Sequence, residues 1–383
     1  MSRSLLKLLV LTALVATLTA LGVSLAFADG EPRASLGADP VATLPPVVFL
    51  SSSAARSNVN GLKFNDEDII VFVPENETGT VGTWSMFFDG SDVGLANADI
   101  NGFELLDDTT VLMTFDRPLR IPGLGRVDDS DILKFTFSAV PGLNTAGTFE
   151  LCFDGSNYDL TTGAEDIDAI AFDPEGRLLI STDGTARVNG RALRAYDEDL
   201  LVFGDAPFVC NPPAAPDSWD IYVDGSDIQL KNGSEDVNAA WVDSSVADKN
   251  IYLATKGRFR VASGGGVAAG DNDDIFGMTP FTLGENQTTG FPFAAFDGDI
   301  VGQRKAIDGI YIAPVSALTA ASLQAAALAV DDEEETVAQF FVEEDDLTEE
   351  DLVDPELDMY DSTEDLLDED DVVITIYVPM VQQ

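Results

Sequence analysis

The sequence predicts an all-β protein, and three observations carry that reading. Short apolar runs rich in Ile, Val, Leu and aromatics recur along the chain, each closed by Asp, Gly or Pro; such runs are the mark of consecutive antiparallel strands. Long helix-forming stretches are nearly absent. The runs also repeat in a fixed order of four, best seen from Asp166 to Gly225: Asp166–Gly176, Arg177–Gly184, Asp197–Gly204 and Ser218–Gly225.

Taking that stretch as strands A to D, the chain parses in sequence. Val47–Ser53 matches a B strand. C strands begin at Asp66, Asp129, Asp197 and Asn272, and D strands run from Trp84, Phe149, Trp219 and Phe293 to Gly90, Gly155, Gly225 and Gly298. A strands start at Asp99, Asp166 and Asp236, and a last A strand, Ala306–Ile312, has nothing after it. A chain that begins at B and ends at A is a circle cut inside one unit. This strand order, with its recurrent Asp-Gly endings, resembles a β-propeller whose first blade is closed by the C-terminal strand. The resemblance covers residues 47–314 and implies a fold and no particular activity. Counting closures gives four blades, at the small end of the usual range of about four to eight. The C-strand starts are spaced more widely than the ~40–50 residues of familiar propeller repeats, so enlarged loops are expected. A sandwich or an open repeat array is the alternative, and neither explains the split unit.

The flanks read differently. Arg3 and Lys7, an apolar run from Leu8 and Ala26-Phe27-Ala28 read as a signal peptide over residues 1–28; left uncleaved, the run is long enough to anchor in a membrane. A secreted or cell-surface location follows. Residues 29–46 read as a linker and 315–330 as a short helix. Residues 331–371 hold 22 Asp or Glu and no Lys or Arg, a composition expected to be disordered. Residues 372–383 form an apolar strand-like tag.

The formal charge is −48, which argues against nucleic acid and anionic membrane surfaces and favours solubility and cation binding. The chain has no histidine. Histidine metal sites, Ser-His-Asp triads and Cys-His dyads are therefore excluded, and carboxylates are the acid–base groups available. The two cysteines, Cys152 on an outer D strand with its side chain alternating outward and Cys210 in the C–D loop of the next blade, are expected to pair in an oxidising compartment.

Because strand direction alternates, A starts, B ends, C starts and D ends share one face, and the Asp motifs concentrate there. The candidate metal residues are Asp66, Asp68, Asp129, Asp131, Asp166, Asp168, Asp197, Asp199, Asp273 and Asp274. Three readings stay open: turn caps and strand-edge guards; Ca²⁺ ligation, which takes about six to eight oxygens, although no segment fits an EF-hand loop; or a carboxylate pair hydrolysing polysaccharide, around Asp166, Asp168 and Asp308.

Of 20 Lys and Arg, 11 lie in the B–C connections, Arg117 and Lys256 among them. These connections read as hairpins extended beyond the blades, a crown around an acidic floor, and Asn60-Gly61 and Asn189-Gly190 are strong hairpin signals. The candidate binding residues are Arg56, Lys63, Arg120, Arg126, Arg187, Arg191, Arg194, Arg258 and Arg260. Asp-Gly-Ser at 89–91, 154–156 and 224–226 reads as turn chemistry, and Trp84, Phe149 and Trp219 as inter-blade packing. The expected protein is a monomeric, exported, non-catalytic binding module for a glycan or an envelope protein; the rival is a carboxylate-based glycosidase.

Overall fold

In chain order the strands are β1 (Val47–Ser52), β2 (Ser57–Val59), β3 (Leu62–Phe64), β4 (Ile69–Pro74) and β5 (Gly82–Phe88). They continue with β6 (Ile100–Asp107), β7 (Thr110–Phe115), β8 (Leu119–Ile121), β9 (Gly125–Val127), β10 (Ile132–Phe137) and β11 (Gly147–Phe153). Next come β12 (Ile167–Phe172), β13 (Leu178–Thr182), β14 (Ala186–Val188), β15 (Leu193–Ala195), β16 (Leu200–Phe203) and β17 (Trp219–Val223). The last are β18 (Val237–Val242), β19 (Ile251–Thr255), β20 (Phe259–Ser263), β21 (Gly266–Gly270), β22 (Asp274–Thr282), β23 (Thr289–Asp297) and β24 (Ile307–Ala313). The computed structural model describes residues 45–213, 218–245 and 249–313; the expectations for residues 1–44 and 314–383 lie outside the described residues.

Four antiparallel four-stranded sheets form a ring: a four-bladed β-propeller. Blade 1 is β24-β1-β4-β5, blade 2 β6-β7-β10-β11, blade 3 β12-β13-β16-β17 and blade 4 β18-β19-β22-β23. Blade 1 is closed as the sequence implied, with Val47 opposite Ala313 and Leu50 opposite Ile310. The closing pair contributes a full strand of hydrogen bonds between the two ends of the propeller, which an open array would lack.

Both faces of each blade are apolar, because each sheet packs on two neighbours. Four cores result, one per blade–blade gap. Phe49, Val71 and Phe87 meet Phe103, Val111 and Phe135 between blades 1 and 2. Ile132 and Phe153 meet Ile170 and Ile180 between blades 2 and 3. Leu179 and Val202 meet Ala240 and Leu253 between blades 3 and 4, and Ala254 and Ile275 meet Leu50 and Ile70 across the closure. Trp84 and Trp219 serve this packing as expected. Each indole N–H donates to the turn after the preceding blade: Trp84 to Val301 O at 3.0 Å and Trp219 to Tyr158 O at 2.9 Å. Phe149 packs on Phe135 of its own blade, at the edge of the gap between blades 1 and 2.

At the centre, β6, β12, β18 and β24 lie against one another. Only small residues fit at their third positions, which are Gly102, Ala169, Ala239 and Gly309. A Cβ on Gly102 would sit 3.3 Å from Ala169 Cα, and one on Gly309 would sit 2.7 Å from Phe103 Cδ1.

Cys152 and Cys210 form a disulfide with Cα atoms 4.4 Å apart, linking β11 to the loop between β16 and β17. Cys152 does not face outward. It is fully buried between blades 2 and 3, where β11 is overlaid by that loop.

Candidate functional site

Each C strand begins with a short acidic phrase, and its last Asp serves the backbone. Asp68 accepts from Asn65 N at 2.8 Å with one oxygen and from Gly90 N at 3.0 Å with the other. Asp131 does the same with Asp128 N and Gly155 N, Asp199 with Tyr196 N and Gly225 N, and Asp274 with Asp271 N and Gly298 N. The Gly is required there: a Cβ on Gly90, Gly155, Gly225 or Gly298 would lie 2.1 to 2.4 Å from the carbonyl oxygen of Glu67, Ser130, Glu198 or Asp273. Burial raises Asp68 and Asp199 to about 6 against the lowering effect of those amides. The Asp-Gly-Ser turns are local as well, since Ser91, Ser156 and Ser226 donate to Asp89, Asp154 and Asp224 at 2.6 to 2.7 Å.

A second repeat joins the blades. The first residue of each C-start phrase offers its carbonyl to the next A strand: Asp66 O to Ile100 N, Asp129 O to Ile167 N, Asp197 O to Val237 N and Asn272 O to Ile307 N, at 2.9 to 3.2 Å. Beside it, in blades 2 to 4 the residue before the A strand accepts from the residue after its B strand: Asp116 N to Asp99 O at 3.2 Å, Asp183 N to Asp166 O at 3.0 Å and Lys256 N to Asp236 O at 2.9 Å. These three positions lie beside the start of each inner strand. They are Asp66, Asp99 and Asp116 at blade 2, then Asp129, Asp166 and Asp183 at blade 3. Blade 4 has Asp197, Asp236 and Lys256; blade 1 has Asn272, Ala306 and Ser53. The fourfold pattern is thus graded from fully acidic to uncharged.

A third repeat reaches deeper. The second residue of every A strand is bulged out of its ladder: Asn101, Asp168, Asn238 and Asp308. A bulge re-aims the side chain away from the sheet face. Asp168 is 1% exposed and Asp308 6%. Asn238 donates from Nδ2 to Ile307 O at 2.7 Å and to Asp308 Oδ1 at 3.1 Å.

Lys256 enters this cluster from the end of β19. Its ammonium lies 2.6 Å from Asp236 Oδ2 and 3.5 Å from Asp168 Oδ2, and it also pairs with Asp183. Among the described residues, Asp168, Asp183 and Asp236 form one of two groups tight enough to hold a metal ion, and a protein cation is bonded to all three. The other group is Asp271, Asp273 and Asp274. Burial raises Asp236 to about 7 despite Lys256, and holds Asp168 well above the carboxylate range, with Asp236 adding to the effect. Asp99 reaches about 7 through burial and then Asp116; Asp166 reaches about 7 through burial and then Asp129. Burial and then Asp99 push Asp308 well up.

All four B–C connections are hairpins: β2-β3, β8-β9, β14-β15 and β20-β21. They do not stand free of the blades as the sequence suggested. One face of each is core, through Val59 and Phe64, Ile121 and Val127, Ala186 and Val188, and Phe259 and Val261. The three-residue arms of the first three hairpins bury every second residue, which folds them down. The opposite face is basic. Arg120 sits directly opposite Arg126, Arg187 opposite Arg194, and Lys63 opposite Asn58. Arg56, Lys63, Arg120, Arg126, Arg187, Arg191, Arg194, Arg258 and Arg260 are all exposed. None of the nine has a salt-bridge partner among the described residues. Arg194 stacks on Tyr196, 4.4 Å above the ring centroid. Arg187 and Arg191 line a polar cavity of about 250 Å³ with Asp159, Thr161, Thr162, Glu165 and Thr185.

Of the candidate metal residues, the structure brings Asp168 beside Lys256 and keeps Asp273 with Asp274. It gives both oxygens of Asp68, Asp131, Asp199 and Asp274 to backbone amides, and leaves Asp66, Asp129, Asp166 and Asp197 beside the starts of the inner strands. Sequence reasoning placed Lys256 among the crown residues; it turns inward. Asn238 and the bulge positions were missed, although [Ile/Val]-[Asn/Asp]-[Gly/Ala] at 100–102, 167–169, 237–239 and 307–309 was readable as a repeat. The fold and this face define a propeller with an acidic axis and a basic hairpin rim. Set against known proteins, the chain matches no family model and no curated sequence.

Proposed function

We propose that this propeller is an exported, non-catalytic binding module whose ligand is a glycan bearing carboxylate or sulfate groups, met by the four hairpins. One observation carries the reading: two exposed arginine pairs stand directly across from each other, Arg120–Arg126 and Arg187–Arg194, with no salt-bridge partner among the described residues, in a chain of charge −48. Like charges directly opposite on a strand pair are destabilising, and acidic groups are abundant enough here to have supplied partners. An anionic polymer relieves the repulsion, and arginine's fork binds carboxylate or sulfate in two-pronged fashion. The disulfide and the signal-like residues 1–28 support export.

A glycosidase reading finds less support. Asp168 and Asp308 are 1% and 6% exposed, and Asp168 is engaged by Lys256, so a sugar ring has no approach to that pair. For the metal, the donors are all oxygens, which selects a hard cation such as Ca²⁺.

The test is retention of the protein on immobilised sulfated and uronate polysaccharides beside a neutral polymer. Retention should be confined to the anionic ones, weaken with salt, and fall sharply in Arg120→Glu/Arg187→Glu. The same substitutions should raise stability of the free protein by about 0.5–1 kcal/mol each through new cross-strand ion pairs. Equal retention of the double variant, or cleavage of any polymer lost on Asp168→Asn, would overturn the reading.

A further inference from the structure

The polar cavity at the third hairpin is built by two blades. The turn that follows β11 in blade 2 supplies Asp159, Thr161 and Thr162; the stretch through β14-β15 in blade 3 supplies Thr185, Arg187 and Arg191. Glu165 joins the two walls and is 4% exposed. Its Oε2 accepts from Thr161 N at 2.8 Å and Thr162 N at 2.9 Å, and its Oε1 from Arg187 N at 3.1 Å. Asp159 adds a second tie, its Oδ2 accepting from Gly190 N at 2.7 Å. These bonds spend Glu165 on the backbone. The guanidinium groups of Arg187 and Arg191 keep no salt-bridge partner among the described residues.

The same joint recurs one blade further on, with different residues around it. Glu235 accepts from Lys231 N, Asn232 N and Arg260 N at 2.8 to 3.3 Å, so Glu235 matches Glu165 and Arg260 matches Arg187. Counting from these, Thr161, Thr162 and Thr185 correspond to Lys231, Asn232 and Arg258, and Arg191 corresponds to Gly264. Asn232 also turns its Nδ2 onto Glu235 at 2.8 Å. Longer side chains thus replace three threonines, and the second arginine is gone. Asp159 departs from its repeat as well. Its turn position is Gly94 after blade 1 and Gly302 after blade 4, with φ of +89° and +86°, whereas Asp159 takes φ +71° with a side chain. Asp tolerates that conformation better than most residues, and here it sets a carboxylate in a cavity that also holds two unpaired arginines.

We propose that this cavity is a subsite for a single acidic sugar, a monosaccharide unit whose carboxylate or sulfate meets Arg187 and Arg191. Its ring hydroxyls would donate to Asp159 Oδ1 and exchange hydrogen bonds with the threonine hydroxyls. The mixture of charges selects this class. A bare inorganic anion suits the arginines but is repelled by Asp159; a neutral sugar suits Asp159 but leaves two guanidinium groups unpaired. A ligand with an anionic group and several hydroxyls satisfies both, and the arginine fork favours planar or trigonal oxyanions. The volume, about 250 Å³, lies just under the ~300 Å³ at which drug-sized sites begin, which suits one ring and not a run of them. The assignment rests on the anionic-glycan reading above and gives that reading one fixed point on the rim.

The experiment is calorimetric and ligand-observed NMR titration of the full chain with glucuronate, galacturonate and glucose 6-sulfate, beside glucose and inorganic sulfate. At least one acidic sugar should bind, and glucose and inorganic sulfate should bind at least about tenfold more weakly. Thr185→Arg installs the blade 4 residue and should abolish sugar binding. It should leave retention on anionic polymer undiminished, because it adds positive charge to the rim. Arg191→Gly, which relaxes a left-handed position at φ +73°, should weaken the sugar at least about tenfold through loss of a charge-assisted contact; it decides the matter if Thr185→Arg fails to fold. Asp159→Asn keeps an acceptor for Gly190 N and should narrow the gap between the acidic sugar and inorganic sulfate. Sugar binding that survives both Thr185→Arg and Arg191→Gly overturns the subsite. Inorganic sulfate binding as tightly as the acidic sugars overturns the ligand class. Polymer retention without binding of any acidic monosaccharide overturns the subsite and leaves the hairpin reading standing; absence of both in the wild type removes both.

Discussion

The ammonium of Lys256 lies 2.6 Å from Oδ2 of Asp236, at the position in blade 4 where blades 2 and 3 carry Asp116 and Asp183. One substitution in a repeated pattern thus turns a third carboxylate into its own counterion. Lys256→Met should destabilise the protein by about 3 kcal/mol, the low end for an uncompensated buried charge, because Lys256 is 35% exposed while Asp168 and Asp236 are not. Adding Asp168→Asn should recover a large part of the loss. Urea unfolding of both variants checks this, and additive effects would show that the two residues act independently.

The glycine that ends each D strand is expected to be intolerant of any side chain. Gly155→Ala places a Cβ 2.1 Å from Ser130 O and also disturbs the amide that donates to Asp131. A loss of at least about 3 kcal/mol, or failure to fold, is expected. Gly190→Ala, with positive φ but nothing within 4 Å, should cost only about 1 kcal/mol. Similar losses at the two positions would refute the role given to the Asp-Gly turn.

Stability should fall as pH rises. Burial raises Glu67, Asp99, Asp166, Asp236 and Asp273 to about 7 and Glu198 to about 8 in the folded state. The folded protein therefore holds more protons than the unfolded chain between the ordinary carboxylate range and those values. The stability they contribute is fully present below the unfolded pKa and is lost through about pH 7–8. Denaturation midpoints in chelator should decline from about pH 5 to about pH 8; a rise over that window would contradict the burial of these acids. Ca²⁺ should flatten the decline, because ligation favours the ionised form.

Reducing Cys152–Cys210, which spans 58 residues, should cost about 4 kcal/mol by the loop-closure estimate. Mass spectrometry before and after reduction verifies the bond, and unfolding under each condition gives its worth. Two free thiols in exported material would exclude it.

The architecture was legible in the sequence for a physical reason. A strand's hydrophobic run and its Asp-Gly stop are local, and the B-first, A-last order leaves Ile307–Ile312 no better partner than Val47–Leu50. The disulfide followed from the same topology. Which acids remain available was not legible. Asp66 and Asp68 look alike in the sequence, yet one lies beside the start of β6 and the other is consumed by Asn65 N and Gly90 N. Nor does period-two alternation reveal a bulge, so Asp168 and Asp308 were visible as acids but not as members of a ring with Asn101 and Asn238. Lys256 was grouped with the hairpin arginines because it lies only two residues from Arg258. The end of β19 faces the axis, while Arg258 already belongs to the exposed turn.

The closure of blade 1 also decides how the molecule bears load. Val47 and Ala313, the two ends of the propeller, are directly opposed in an antiparallel pair, so a force pulling the flanking segments apart meets the β1–β24 ladder one rung at a time. Peeling of this kind yields at lower force than sliding two strands lengthwise, where all rungs must break together. The ring would open at its seam under tension, with β24 leaving the axis first and taking Asp308 with it. A tethered propeller of this design is rigid to its ligand and weak along its own chain.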